Sequence, residues 1–242
     1  MSDLIRSNKT VIVAADTEAI VDFRKLLEAT KDIAGIGGYK LGMLMGLEGI
    51  GWSVAKIREK FTGKFPVIYD HQKAGNDIPE MGGPLARKLK SSGIDAAILF
   101  PFAGPATQKE WTKACQGEGL TVLTGGIMTH PNFLVSEGGY ISDDAPERII
   151  KMAIELGVTD FIAPGNKVPW VDKIRSWAEE ALGTDGFTIN APGFIKQHGV
   201  LSDCAKVAGN RWHAIIGTAI YGKPTVEEMK QAAINLTAGM EA

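Results

Sequence analysis

Short apolar runs alternate along the chain with longer stretches in which apolar residues recur every three or four positions. The short runs cover residues 11–15, 38–41, 66–69, 96–100, 121–124, 161–163, 188–191 and 214–217. They are rich in Val, Ile or Leu and lack strict apolar–polar alternation, which is the pattern of strands buried on both faces. The longer stretches predict helices. Within residues 18–29, Ile20, Phe23, Leu26 and Leu27 fall on one face at helical spacing. Similar faces run through 44–60, 84–91, 105–116, 146–156, 169–182 and 225–236, with a weaker crossover at 202–208. Several begin at or near a proline, whose missing N–H would be unpaired in a first helical turn anyway.

Strand–helix alternation repeated eight times in 242 residues predicts an α/β fold of the (β/α)₈ TIM-barrel type. An open doubly wound sheet is the competing arrangement, but the first strand leads into Asp16-Thr17-Glu18 rather than a glycine-rich dinucleotide turn. No low-complexity linker or break in composition divides the chain, so residues 1–242 are expected to form one catalytic barrel domain.

Composition narrows the picture only a little. The formal net charge of −2 gives no electrostatic case for nucleic acid. No apolar run approaches the roughly 20 residues of a membrane-spanning helix. Met1-Ser2-Asp3-Leu4-Ile5-Arg6 is too short and polar for a signal peptide, so a soluble cytoplasmic protein is expected. Cys115 and Cys204 match no metal or redox spacing and read as free thiols of a reducing compartment.

Barrel chemistry sits at the C-terminal ends of the strands. Asp16 follows the first strand and Lys40 lies in the second. Asp70 ends the third, with Lys73 and Asp77 just beyond. Met128-Thr129-His130-Pro131 follows the fifth strand, Pro192-Gly193 and then Gln197 the seventh, and Gly217-Thr218 the eighth. Charges at strand ends are costly to desolvate unless paired, so two lysines and three aspartates on one mouth point to a working site rather than a decorated rim. The ends of strands 7 and 8 form the usual phosphate pocket of this fold, where Gly193 and Gly217 let backbone N–H groups approach an anion. His71, His130 and His198 follow strands 3, 5 and 7, but no two share a helix face at ligand spacing, and no metal is expected.

The set Asp16, Lys40, Asp70, Lys73, Asp77-Ile78-Pro79, Met128-Thr129-His130-Pro131, Pro192-Gly193, Gln197 and Gly217 resembles the orotidine 5′-phosphate decarboxylase family, in the right order from about residue 10 to 225. The resemblance implies a homodimeric (β/α)₈ barrel that needs no cofactor and converts orotidine 5′-phosphate to uridine 5′-phosphate and carbon dioxide. It implies that Asp16 and Lys40 hold ribose hydroxyls and that Asp70 sits against the substrate carboxylate. Lys73 would protonate carbon 6, and Asp77, with Ile78 beside it, would reach a neighbouring subunit's site. Thr129 would read the pyrimidine edge, with Pro192 and Gly193 nearby. Gln197 would bridge base and phosphate, and Gly217 and Thr218 would donate backbone N–H groups to the phosphate.

Three positions depart from the family pattern. Asp70-x-x-Lys73-x-x-x-Asp77 is one residue longer in each gap than Asp-x-Lys-x-x-Asp. A one-residue shift along a strand sends a side chain to the opposite face, so Lys73 can meet Asp70 only if the backbone bulges or turns after Asp70, and Ala74-Gly75-Asn76 permits a tight turn. Thr218 stands where an arginine usually contacts phosphate, leaving Lys196 and Lys223 as candidate cations. Met81 replaces a threonine after Asp-Ile-Pro. Two alternatives stay open. One is a related sugar-phosphate lyase such as hexulose-6-phosphate synthase or a sugar-acid phosphate decarboxylase, which would use an acid near strand 2 as a metal ligand. Glu48 is the nearest and reads as a helix residue. The other is a non-catalytic phosphate-binding barrel.

Overall fold

The computed structural model describes residues 4–63, 65–71, 74–194 and 198–240. The strands are β1 (Lys9–Ala15), β2 (Ile36–Leu41), β3 (Val67–Asp70), β4 (Ala96–Leu99), β5 (Thr121–Gly125), β6 (Asp160–Ile162), β7 (Thr188–Pro192) and β8 (Trp212–Ile216). They pair in chain order, all parallel, and β8 closes on β1 through Val11↔Ala214 and Val13↔Ile216. The helices are α1 (Ile20–Thr30), α2 (Met43–Lys60), α3 (Gly82–Ser91), α4 (Pro105–Gly117), α5 (Ala145–Glu155), α6 (Val168–Leu182), α7 (Leu201–Ala205), α8 (Thr218–Tyr221) and α9 (Val226–Ala238). The expected barrel is therefore present.

Both faces of each strand are buried, which explains the missing alternation. Val11, Val13, Tyr39, Val67, Tyr69 and Phe161 face outward and pack with helix residues such as Phe23, Leu26 and Ile57. Ile12, Ala14, Ile68, Ile98, Leu123, Ile162 and Ile215 fill the interior, so the barrel is a packed core rather than a channel.

Three expectations need correction. Residues 44–60 are not one regular helix, because Gly49 takes φ +116°, a left-handed conformation that a residue with a Cβ rarely adopts. Ser53 lies over the break and donates its hydroxyl to the carbonyl of Gly49 at 3.3 Å. The crossover at 202–208 shrinks to α7. Finally, α8 follows β8 directly and was not expected; it is too short to carry a periodic apolar pattern.

The N-terminal end of the barrel interior is polar but closed. His213 accepts from or donates to the Thr10 hydroxyl at 2.8 Å through Nδ1. Burial, reinforced by the charge of Arg211, pushes its pKa down to about 3, so the ring is neutral. Burial also pushes the Cys115 and Cys204 thiols up to about 12, which leaves both inert as nucleophiles near neutral pH. Among the described residues no helix is long and apolar enough to cross a membrane.

Candidate active site

The first three strands bring charge together at the C-terminal mouth. Lys40 points inward from β2 and its Nζ donates to Asp16 Oδ2 at 2.9 Å and to Asp70 Oδ2 at 3.1 Å. The side chains of Lys40 and Asp70 are only 8% and 7% exposed, while that of Asp16 is 35% exposed. Burial alone would push the Lys40 pKa down, but the charges of Asp70 and Asp16 and their hydrogen bonds outweigh it and hold the pKa above the ordinary lysine value. Lys40 is thus a fixed ammonium in a largely dehydrated place. Gly42 makes room for this arrangement, since a Cβ there would lie 1.9 Å from Asp16 Oδ1.

Past Asp70 the described chain turns at residues 74–75. Tyr69 packs on the outer side of the barrel, and its hydroxyl bonds His71 Nδ1 at 2.6 Å. The turn comes at Ala74-Gly75, where Gly75 has φ +86°. It is held against the loop after β4: Phe100 N donates to the Ala74 carbonyl at 3.2 Å and Phe102 N to Asn76 Oδ1 at 2.8 Å. Lys73 lies outside the described residues, as do Gln197 and Lys196.

Asp77 and Ile78 do not join the mouth of their own barrel. Both are exposed, and their carbonyls are pinned to α4, Asp77 by the Thr107 hydroxyl at 2.9 Å and Ile78 by Trp111 Nε1 at 3.0 Å. Asp77 lines a separate groove with His71, Met81, Leu85 and Trp111.

The cavity at the mouth has three chemical walls. Asp16, Lys40 and Asp70 form the charged one. Ile98, Phe100, Ile127, Met128, Thr129 and Ile162 form a largely apolar one that suits a flat ring. The third is Pro192, Gly193, Gly217, Thr218 and Tyr221. Gly193 sits at φ +106°. Gly217 precedes the first turn of α8, and the Thr218 hydroxyl donates to the Tyr221 hydroxyl at 3.3 Å. The sequence reading missed Tyr221. Its signal was the spacing Gly217-Thr218-x-x-Tyr221, which puts Thr218 and Tyr221 on one helix face once α8 is recognised.

Lys223 does not supply the charge missing at Thr218; it is exposed past the end of α8 and does not line the cavity. Glu48 is exposed on α2, away from the lining. Among the described residues no group of three or more His, Cys, Asp or Glu is arranged to hold a metal ion.

Fold and site together define a (β/α)₈ enzyme whose mouth holds a buried, paired ammonium in one cavity with the glycine-bearing ends of β7 and β8. The chain belongs to the orotidine 5′-phosphate decarboxylase family. It is 30% identical to the orotidine 5′-phosphate decarboxylase of Methanococcus maripaludis over 227 residues, covering 94% of this chain and 90% of the relative. It is 28% identical to that of Methanosarcina mazei over 237 residues, covering 97% and 96%. Among solved structures, the orotidine 5′-phosphate decarboxylase of Pyrococcus horikoshii superposes with a TM-score of 0.75 at 25% identity, covering 96% of this chain and 100% of that one. The Methanocaldococcus jannaschii structure, complexed with inhibitor BMP, shares the fold with a TM-score of 0.82 at 21% identity, covering 98% and 100%. No family model matches the chain.

Proposed function

We propose that the protein is an orotidine 5′-phosphate decarboxylase, a carboxy-lyase that forms uridine 5′-phosphate and carbon dioxide for pyrimidine nucleotide synthesis in the cytoplasm. The observation that carries this reading is Lys40 bridging Asp16 and Asp70 across from the Gly217–Thr218 cradle, in a chain similar along nearly its whole length to proteins of that name.

The assignment of roles follows the chemistry of the walls. Asp16 and Lys40 take ribose hydroxyls. The apolar wall takes the pyrimidine, with Thr129 at its polar edge, and Gln197 is assigned to bridge base and phosphate. Backbone N–H groups at Gly193, Gly217 and Thr218 face the phosphate, with the hydroxyls of Thr218 and Tyr221 taking the place of a cation. In the reaction the bond between carbon 6 and the carboxylate breaks, the carboxylate leaves as carbon dioxide, and its electron pair stays on carbon 6. The Lys73 ammonium gives that carbon a proton. Asp70 faces the departing carboxylate, and a preorganised ammonium stabilises the charge as it develops. Phosphate binding, remote from carbon 6, supplies positioning energy. Asp77 and Ile78, exposed and pinned to α4, are assigned to the partner site of a homodimer.

Carbon dioxide release from orotidine 5′-phosphate by the purified protein tests the function. Turnover in the wild type with loss in Lys73→Ala is expected; full turnover in Lys73→Ala removes the role given to Lys73. A wild type that binds uridine 5′-phosphate yet releases no carbon dioxide is a binding barrel instead. Sedimentation tests the dimer: a fully active monomer at assay concentration takes Asp77 out of the partner's site.

A further inference from the structure

We infer that Asn166, in the loop between β6 and α6, is a positioning residue for the base-reading wall of the cavity. Its Nδ2 donates to the carbonyl of Thr129 at 3.0 Å. Its Oδ1 is buried and has no hydrogen-bond partner among the described residues. That oxygen lies against the backbone of Gly193, where an added Cβ would stand 2.8 Å from it. The amide is therefore wedged between Thr129 and Gly193, two lining residues in the loops after β5 and β7.

The next residue reinforces the link. Lys167 Nζ contacts Glu137 Oε1 at 3.1 Å, and Glu137 Oε2 in turn accepts from Phe133 N at 3.1 Å. The loop after β5 is thus tied to the loop after β6 at two points, one directly behind Thr129. Holding the Thr129 carbonyl fixes the backbone from which this lining residue faces the cavity. The bond from Nδ2 sets which way the amide faces and keeps it between the two loops. Asn166 does not itself line the cavity, so it acts through Thr129.

This inference rests on the reading of Thr129 as the residue that meets the base. Calorimetry on the full chain tests it, comparing the dissociation constants of uridine 5′-phosphate and ribose 5-phosphate for wild type, Asn166→Ala and Asn166→Asp. Asn166→Ala is expected to weaken uridine 5′-phosphate roughly tenfold, about the worth of one hydrogen bond, and ribose 5-phosphate by less than about twofold. Asn166→Asp keeps the shape and loses the donor. It is expected to show the same selective loss at pH 8 and to recover affinity for the nucleotide, relative to wild type, as acidification protonates the new carboxyl and restores a donor. A purely structural role would weaken both ligands alike and show no such recovery; either result in the Asp variant overturns the inference. A wild type that binds uridine 5′-phosphate no better than ribose 5-phosphate removes the base-reading role of Thr129 itself, and the inference with it.

Discussion

The two ends of the barrel interior each hold a buried nitrogen base, and they hold it in opposite states. At the C-terminal end Lys40 is charged, with its pKa raised by Asp70 and Asp16 against the pull of burial. At the N-terminal end His213 is neutral, lowered to about 3 by burial and the Arg211 charge, with the Thr10 hydroxyl as its partner. Both side chains are deep in the same cylinder of strands, and burial disfavours the charged form of each. The neighbours decide whether burial prevails: two carboxylates outweigh it at Lys40, while the Arg211 charge reinforces it at His213 and the ring stays neutral. Charge is kept where the fold works on substrates, and removed where it only has to be stable.

The strongest way to break this contrast is at Lys40. Lys40→Ala is expected to lower kcat/KM for orotidine 5′-phosphate by about a thousandfold or more, with circular dichroism still reporting the barrel. His213→Gln, at the other end, is expected to stay within about twofold of wild type in the same assay. Equal losses in the two variants would erase the functional distinction between the ends.

Gly42→Ala tests the same charged wall by geometry alone. The new Cβ would meet Asp16 Oδ1 at 1.9 Å and must displace the carboxylate. A fall in kcat/KM of about a hundredfold is expected, the scale of a misplacement near 1 Å. Unchanged kinetics would mean that Asp16 need not stand where Lys40 holds it.

Tyr221→Phe sharpens the contrast within the mouth, between the charged wall and the uncharged cradle. It removes one hydroxyl from the side assigned to phosphate and should raise KM by roughly tenfold with little change in kcat. A drop in kcat with KM unaltered would move Tyr221 out of phosphate binding.

Stability against pH lies outside the kinetic scale, and here the ends separate by sign. The His213 pKa is about 3 in the folded protein against an ordinary 6.5, so the unfolded chain binds more protons between these values. Its contribution is complete above about pH 6.5 and is lost as pH falls toward 3, a decline on the order of a few kcal/mol. Denaturant melts of His213→Gln should show a shallower acid slope than wild type. Lys40, whose pKa lies above 10.5, behaves oppositely: its contribution is complete at neutral pH and is lost only as pH rises through the folded value. An acid slope identical in wild type and His213→Gln would assign the loss to other groups.

Much of the site could be read from the chain because a barrel sends strand ends to one place. Asp16, Lys40, Asp70, Thr129, Pro192, Gly193, Gly217 and Thr218 each lie at or just past a strand, and all of them line the cavity. Asp77 and Ile78 follow the third strand too, yet the turn at Gly75 and the bonds to Thr107 and Trp111 carry them into a different groove. Tyr221 escaped because α8 is only four residues long, below the length at which apolar spacing becomes visible. Asn166 escaped because Pro164-Gly165-Asn166 has no charge and no motif spacing, and its partners, Thr129 and Gly193, lie in the loops after β5 and β7.

By itself, the sequence determined the alternation of strand and helix, the barrel that follows from it, and which polar residues stand at strand ends. These depend on local periodicity and on the buried faces it creates. Only the tertiary structure decided that Lys40 meets both Asp16 and Asp70, that Gly42 leaves Asp16 its place, and that His213 is neutral while Lys40 is charged. Those outcomes depend on ångström-scale distances between residues far apart in the chain and on how much water remains around them, and the order of amino acids carries neither until the barrel closes.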